Sequence, residues 1–156
     1  GDVPLLTPET LKGIIDRHLA ARSGCTLLSA YLKNPTGYGR IVRSDNNRVV
    51  KIIEEVDASI YEKVIEEINV GVYCFDKDIL FEALEKIAPD NKKDEYYLTD
   101  TIEILAKSNL SVDSVSTESP EEFLGINTRK DLMQAEGLVR DRILNRILQK
   151  GVSIID

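Results

Sequence analysis

With 156 residues, 42% hydrophobic content and a formal charge of −7, the chain has material for one domain with a core and matches a nucleic-acid backbone poorly. No apolar run nears the ~20 residues that span a bilayer, and the first residues lack the basic and apolar regions of a signal peptide. An anionic small ligand would need placed Lys or Arg, backbone N–H groups or a divalent cation beside the acidic side chains.

In chain order, Asp2 stands in an opening turn, and Thr7 with Pro8 at the first helical position predicts a helix from Pro8 to Arg22, ended by Gly24. His18, the lone histidine, falls on this helix and reads as a structural or surface imidazole. Cys25 to Leu32 is short and almost wholly apolar, which fits a strand buried on both faces. Ile41–Arg43 and Val49–Ile53 flank the turn residues 44–47, predicting a hairpin with Arg40 at one end and Glu54 at the other. A short helix over 58–66 and a strand over 68–75 are expected next. Residues 78–87 have the spacing of an amphipathic helix.

A polar loop, Pro89 to Asp94, precedes a helix that starts at Leu98-Thr99-Asp100 and stops at Asn109, and a strand is expected over 110–115. The last helix, 128–150, has Thr128 as N-cap with Asp131 three residues on, a variant capping box. Gly137 inside it costs about 1 kcal/mol relative to alanine, which suggests a close packing contact. Residues 151–156 resemble a helix cap followed by the first residues of a linker or further domain. Cys25 and Cys74 sit in apolar runs without CxxC spacing and read as buried, reduced thiols.

Alternating strands and helices predict an α/β fold with a mostly parallel sheet, an inserted β-hairpin and a long C-terminal helix, with ligands at the carboxyl ends of the strands. Asp2 and Asn127 would lie at such ends. A carboxylate and an amide carbonyl are hard oxygen ligands of the kind Mg²⁺ accepts alongside water and substrate phosphate, although taken alone both residues read more readily as ordinary turn and cap positions. Glu54, Asn69 and Thr99 are donors and acceptors suited to sugar hydroxyls, and Gly37 or Gly39 allows a close backbone approach. Each has a structural alternative as well: Glu54 as a solvated strand end, Asn69 as a turn former, Thr99 as a cap. Asn69 is the least easily explained, since a strand start between Ile68 and Val70 favours an apolar residue.

The motifs Gly1 to Leu6, Asn34 to Val42, Ile52 to Glu54, Glu67 to Gly71, Glu95 to Asp100 and Gly125 to Arg129 run in order through the whole chain. Together they resemble the uridylyltransferase domain of bacterial bifunctional N-acetylglucosamine-1-phosphate uridylyltransferase / glucosamine-1-phosphate acetyltransferases. The resemblance implies a partial Rossmann-like (GT-A-like) nucleotidyltransferase domain over residues 1–150. It further implies a Mg²⁺-dependent attack of N-acetylglucosamine 1-phosphate on the α-phosphorus of UTP, giving UDP-N-acetylglucosamine, a cell-wall precursor, and pyrophosphate. Asp2 and Asn127 would then be magnesium ligands, with Asn127 also at the substrate. Gly37, Glu54, Asn69, Tyr97 and Thr99 would be the sugar-binding set. Such transfer relies on positioning and charge neutralisation, so no protein nucleophile is expected.

The glycine-rich Leu-x-x-Gly-x-Gly-Thr-x-Met loop that holds the nucleotide phosphates in this family is not in the sequence. The chain is therefore expected to carry the sugar and metal side of a carboxyl-terminal domain part and to be inactive alone, while an open sheet edge would favour self-association or a partner chain if the half-domain serves as a scaffold. The resemblance implies a cytoplasmic enzyme whose full-length relatives are homo-oligomers, with neither nucleic acid nor membrane as partner. Another sugar-1-phosphate nucleotidyltransferase, or a non-catalytic sugar-nucleotide binding or assembly module, are the alternatives.

Overall fold

The computed structural model describes residues 3–117, 119–126 and 128–153. They fall into two units, one formed by residues 8–118 and the other by 1–7 with 119–156. The larger unit opens with α1 (Pro8–Ala21), which ends where Arg22 takes a left-handed φ of 48°, two residues before the expected stop at Gly24. Strand β1 (Cys25–Tyr31) follows and is buried at every position but the last. Because successive side chains alternate across a strand, β1 needs cover on both faces. On one face Thr26 Oγ1 meets His18 Nδ1 of α1 at 3.1 Å, so the histidine is a hydrogen-bonded structural residue. On the other, Cys25 and Leu27 join Ile41, Val49, Ile52, Ala83, Ile102 and Leu105 in the main apolar core.

The hairpin forms as expected, from β2 (Arg40–Arg43) and β3 (Val49–Ile53), with Asn47 supplying a left-handed turn residue at φ 62°. Strand β4 (Glu67–Phe75) then leads into α2 (Lys77–Leu84), whose N-cap Asp76 accepts from the backbone N–H groups of Asp78 and Ile79. After the polar loop come α3 (Asp100–Lys107) and β5 (Val112–Ser116). Asn109, at φ 57°, stops α3, and Leu110 N donates back to Leu105 O at 3.0 Å.

The five strands form one sheet in the order β3-β2-β4-β1-β5. The α/β class stands, but the sheet is mixed, not mostly parallel. Among the described residues only β1 and β5 pair parallel, while β1/β4, β2/β3 and β2/β4 are antiparallel. The reason lies in the connections: a tight hairpin makes β2 and β3 antiparallel, and β1 meets β5 only after a long crossover that includes α2 and α3. The helix expected over 58–66 is instead a set of turns. Ile60, Tyr61 and Val64 are exposed, so a helix there would have no buried apolar face to stabilise it. Cys25 is buried and Cys74 half-buried, and both are free thiols. Burial pushes both thiols up, Cys25 the further.

In the smaller unit, a short 3-10 turn (Pro120–Phe123) precedes α4 (Arg129–Leu148). The Thr128/Asp131 capping box is present in full: Asp131 N donates to Thr128 Oγ1 at 3.2 Å and Thr128 N to Asp131 Oδ2 at 2.8 Å. Arg142 of α4 donates to Leu5 O at 2.6 Å, and Thr7 Oγ1 donates to Glu122 Oε1 at 3.2 Å. The close packing expected at Gly137 is not found, since a Cβ there would meet nothing within 4 Å.

Candidate functional site

Where the hairpin strands open away from their turn, Gly39 precedes β2 and Glu54 follows β3, and antiparallel pairing of Arg40 with Ile53 brings the two side by side. A Cβ on Gly39 would stand 3.2 Å from Ile52 Cγ2 and 3.4 Å from Glu54 Oε2, a tight fit that glycine avoids. Gly39 O accepts from Asn69 N at 2.8 Å, which places the start of β4 against the same loop. The start of α3 closes the group, because Thr99 Oγ1 donates to Glu54 Oε1 at 3.1 Å. Thr99 occupies the N-cap position of α3, but its backbone is already helical (φ −61°, ψ −23°) and its side chain makes no cap bond.

The loop before β2 is held by a charged pair. Arg40 is 1% exposed, and its Nη2 donates to Glu55 Oε2 at 2.6 Å while its Nη1 donates to Tyr38 O. The same Glu55 oxygen accepts from Gly37 N at 3.3 Å. Gly37 has φ +88°, a left-handed conformation costly to residues with a Cβ. The Arg40 hydrogen bond, helped by Gly37 N–H, holds the Glu55 carboxyl below the usual carboxylate range.

Gly37, Glu54, Glu55, Val56, Lys93 and Tyr97 line one cavity of about 140 Å³. The Tyr97 hydroxyl is buried and makes no hydrogen bond among the described residues. Burial is the largest influence raising the Tyr97 phenol, followed by the carboxylates of Asp57, Glu95, Glu54 and Asp100. Asp100 is likewise pushed up, by burial first and then by Glu103, Glu54 and Asp57. Lys93 is placed by its neighbours: Lys92 N donates to Asp57 Oδ1 at 3.0 Å, Lys92 Nζ donates to Val56 O, and Lys93 N donates to Asn91 Oδ1 at 3.1 Å.

Asn69 sits beside this group without lining the cavity. Its side chain is paired with the Tyr73 hydroxyl, with Nδ2 to Oη at 2.7 Å and Oη to Oδ1 at 3.0 Å, and Oδ1 also accepts from Gly71 N at 3.1 Å. Burial raises the Tyr73 phenol, and Glu54 adds to the rise. The fold therefore gathers the expected residues Gly37, Glu54, Tyr97 and Thr99 directly, and Asn69 through Gly39. Asp2 and Asn127, the expected magnesium ligands, lie outside the described residues. Among the described residues no group of three or more His, Cys, Asp or Glu side chains is arranged to hold a metal.

Sequence reasoning missed Glu55, Lys93 and Tyr73 as parts of this site. For Glu55 a signal existed, because an arginine entering a buried strand needs a nearby carboxylate, and Glu54-Glu55 stands at the end of the paired strand. Chemically the arrangement offers carboxylate acceptors, a tyrosine hydroxyl and one lysine in a confined space. That is a donor and acceptor set for a polyhydroxylated ligand carrying negative charge.

The family model described as nucleotidyl transferase matches residues 5–119. Among curated proteins, the bifunctional protein GlmU of Geobacillus sp. (strain WCH70) is 47% identical over 156 residues, covering 100% of the chain and 34% of that protein. The bifunctional protein GlmU of Bacillus subtilis (strain 168) is 46% identical over the same span. The chain thus spans about a third of the length of the curated relatives it matches, at 34%. Among solved structures, a protein described as a glucose-1-phosphate thymidylyltransferase from Bacillus anthracis, in complex with sucrose, superposes with a TM-score of 0.61 at 18% identity. That match covers 85% of this chain and 50% of the other. A nucleoside-diphosphate-sugar pyrophosphorylase from Vibrio cholerae RC9 gives 0.59 at 13% identity, over 75% and 48% of the two chains. At these identities the structural matches speak for the fold. No helix of the described residues is long and apolar enough to cross a membrane.

Proposed function

We propose, given that this chain belongs to the nucleotidyl transferase family, that its Glu54 cavity binds N-acetylglucosamine 1-phosphate for uridylyl transfer from UTP, giving UDP-N-acetylglucosamine and pyrophosphate. The observation that carries this reading is Tyr97, which lines the same cavity as Glu54 and Lys93 and whose hydroxyl has no hydrogen-bond partner among the described residues. A hydroxyl shut off from water without a hydrogen bond is unfavourable, a cost that a ligand donor or acceptor removes. Glu54, fixed by Thr99, accepts from sugar hydroxyls, and Lys93 meets the negative charge of the sugar phosphate. The identity of the sugar draws support from the near-half identity to proteins called GlmU across the whole chain.

Asp2 and Asn127 are the residues proposed to hold Mg²⁺, their carboxylate and amide carbonyl forming a hard oxygen donor set that suits this ion. Bound there, magnesium would neutralise phosphate charge, a main source of catalysis in phosphoryl transfer. In this reading residues 1–150 supply the sugar and metal side of the reaction in a cytoplasmic enzyme. On the same reading these 156 residues by themselves bind the sugar phosphate without turning it over.

Titration calorimetry with N-acetylglucosamine 1-phosphate tests the assignment. Saturable binding that weakens about tenfold in Tyr97→Phe is expected, as for loss of one buried hydrogen bond. Absence of saturable binding, or equal affinity in the variant, would overturn it. Tighter binding of glucose 1-phosphate would transfer the assignment to another sugar-1-phosphate nucleotidyltransferase.

A further inference from the structure

At the opposite ends of β2, β3 and α3 from the Glu54 cavity lies a second recess of about 590 Å³. Its lining includes Arg17, Arg43 and Arg48 with one carboxylate, Asp113, while Glu67, outside the lining, pairs with Arg43, in a chain whose overall charge is −7. Arg43 is fixed in place. Its Nε and Nη2 donate to the two oxygens of Glu67 at 2.7 Å each, Nη2 also reaches Ser114 Oγ at 2.7 Å, and Nη1 donates to Asn47 O at 2.9 Å. Arg17 spends only Nε, on Asp113 Oδ2 at 2.6 Å, and its two Nη nitrogens make no hydrogen bond among the described residues. Arg48 makes no side-chain hydrogen bond or ion pair among the described residues.

Uncommitted guanidinium N–H groups therefore line one recess from α1 and from the hairpin turn, beside an Arg43 that Glu67 fixes in place. Guanidinium forks match the geometry of phosphate oxygens and bind them in pairs. Asn47 and Asn109 add amide donors at the rim, and Val49, Leu110 and Val112 add apolar wall that inorganic ions would leave unused. The volume lies within the range of small-molecule sites. We propose that this recess is a binding site for a small phosphate-bearing anion, separate from the Glu54 cavity and joined to it by the three elements they share.

The test is a titration followed by ¹⁵N NMR of the whole chain, using inorganic phosphate and phenyl phosphate in separate arms at constant ionic strength set with chloride. Saturable shifts are expected at the Arg48 and Arg17 side-chain N–H signals and at the Asn47 and Asn109 amides, with affinity about tenfold weaker in Arg48→Ala. Arg48 is exposed and unpartnered, so that variant keeps its fold. Tighter binding of phenyl phosphate assigns the site to phosphate esters, and equal binding assigns it to free phosphate. Tyr97→Phe leaves these shifts unchanged, which separates this site from the proposed sugar site. Shifts that stay linear, spread over the surface, or persist with equal affinity in Arg48→Ala would overturn the proposal.

Discussion

The Thr99 hydroxyl donates to Glu54 Oε1 at 3.1 Å, although Thr99 stands where a threonine ordinarily caps its own helix. The hydroxyl thus fixes a carboxylate 45 residues earlier in sequence, and it makes no cap bond to α3. Thr99→Val keeps the shape and removes the donor. The variant should lose about 1 kcal/mol of stability, as for one hydrogen bond, and bind the sugar phosphate several-fold more weakly because Glu54 is no longer held. Urea unfolding and calorimetry check the two parts separately.

Glu54 itself should matter to one substrate only. In a full-length version, Glu54→Ala is expected to raise KM for N-acetylglucosamine 1-phosphate by about tenfold or more while KM for UTP stays near its original value, since a charged hydrogen bond contributes about 1.5–3 kcal/mol. Equal rises for both substrates would remove Glu54 from the sugar site.

Gly137→Ala should stabilise the protein by up to about 1 kcal/mol. Alanine has the higher helix propensity, and the added Cβ would meet open space. A rise in the urea midpoint with unchanged slope is the expected signature.

Arg40 makes the opposite case. Arg40→Met removes donors from Glu55 and Tyr38 O and frees the loop carrying Gly37. The melting temperature should fall by roughly 5–10 °C, as when one partner of a buried charged network is removed. Lysine should rescue little, because it lacks the fork that reaches both acceptors.

Acid should loosen the segment between β3 and β4. Glu62 accepts from Lys51 Nζ at 2.7 Å and from Ser59 N at 2.9 Å, and chiefly the lysine bond pulls its carboxyl down to about 2 from an ordinary 4.5. A carboxyl whose folded value is depressed stabilises the fold above its unfolded value, and that contribution disappears as pH falls from 4.5 towards 2. Glu62→Gln should therefore be less stable at neutral pH and lose less stability across that acid window, as read from urea midpoints at several pH values.

What the sequence revealed was whatever its neighbours decide. The Thr128/Asp131 capping box, the hairpin over 40–53 and the stop at Asn109 are local, and each was readable within a few residues. Strand sense was not, because the antiparallel β1/β4 pair depends on a partner some forty residues away. The turns over 60–64 carry apolar residues that resemble a helical face, but no surface receives them. At the site, family-like motifs pointed to Gly37, Glu54, Tyr97 and Thr99 without revealing that the Gly37 N–H is bonded to Glu55 or that Thr99 holds Glu54. Those relations arise from pairing Arg40 with Ile53, which no single motif contains.

Both sheet neighbours of β1 come later in the chain, and its parallel partner β5 begins at Val112, opposite Cys25. During ribosomal synthesis this largely apolar strand must wait, one side unzipped, until residues 112–116 have emerged. Translation speed through residues 32–111, and holdase chaperones acting meanwhile, should govern how much of the protein reaches its native state in a cell.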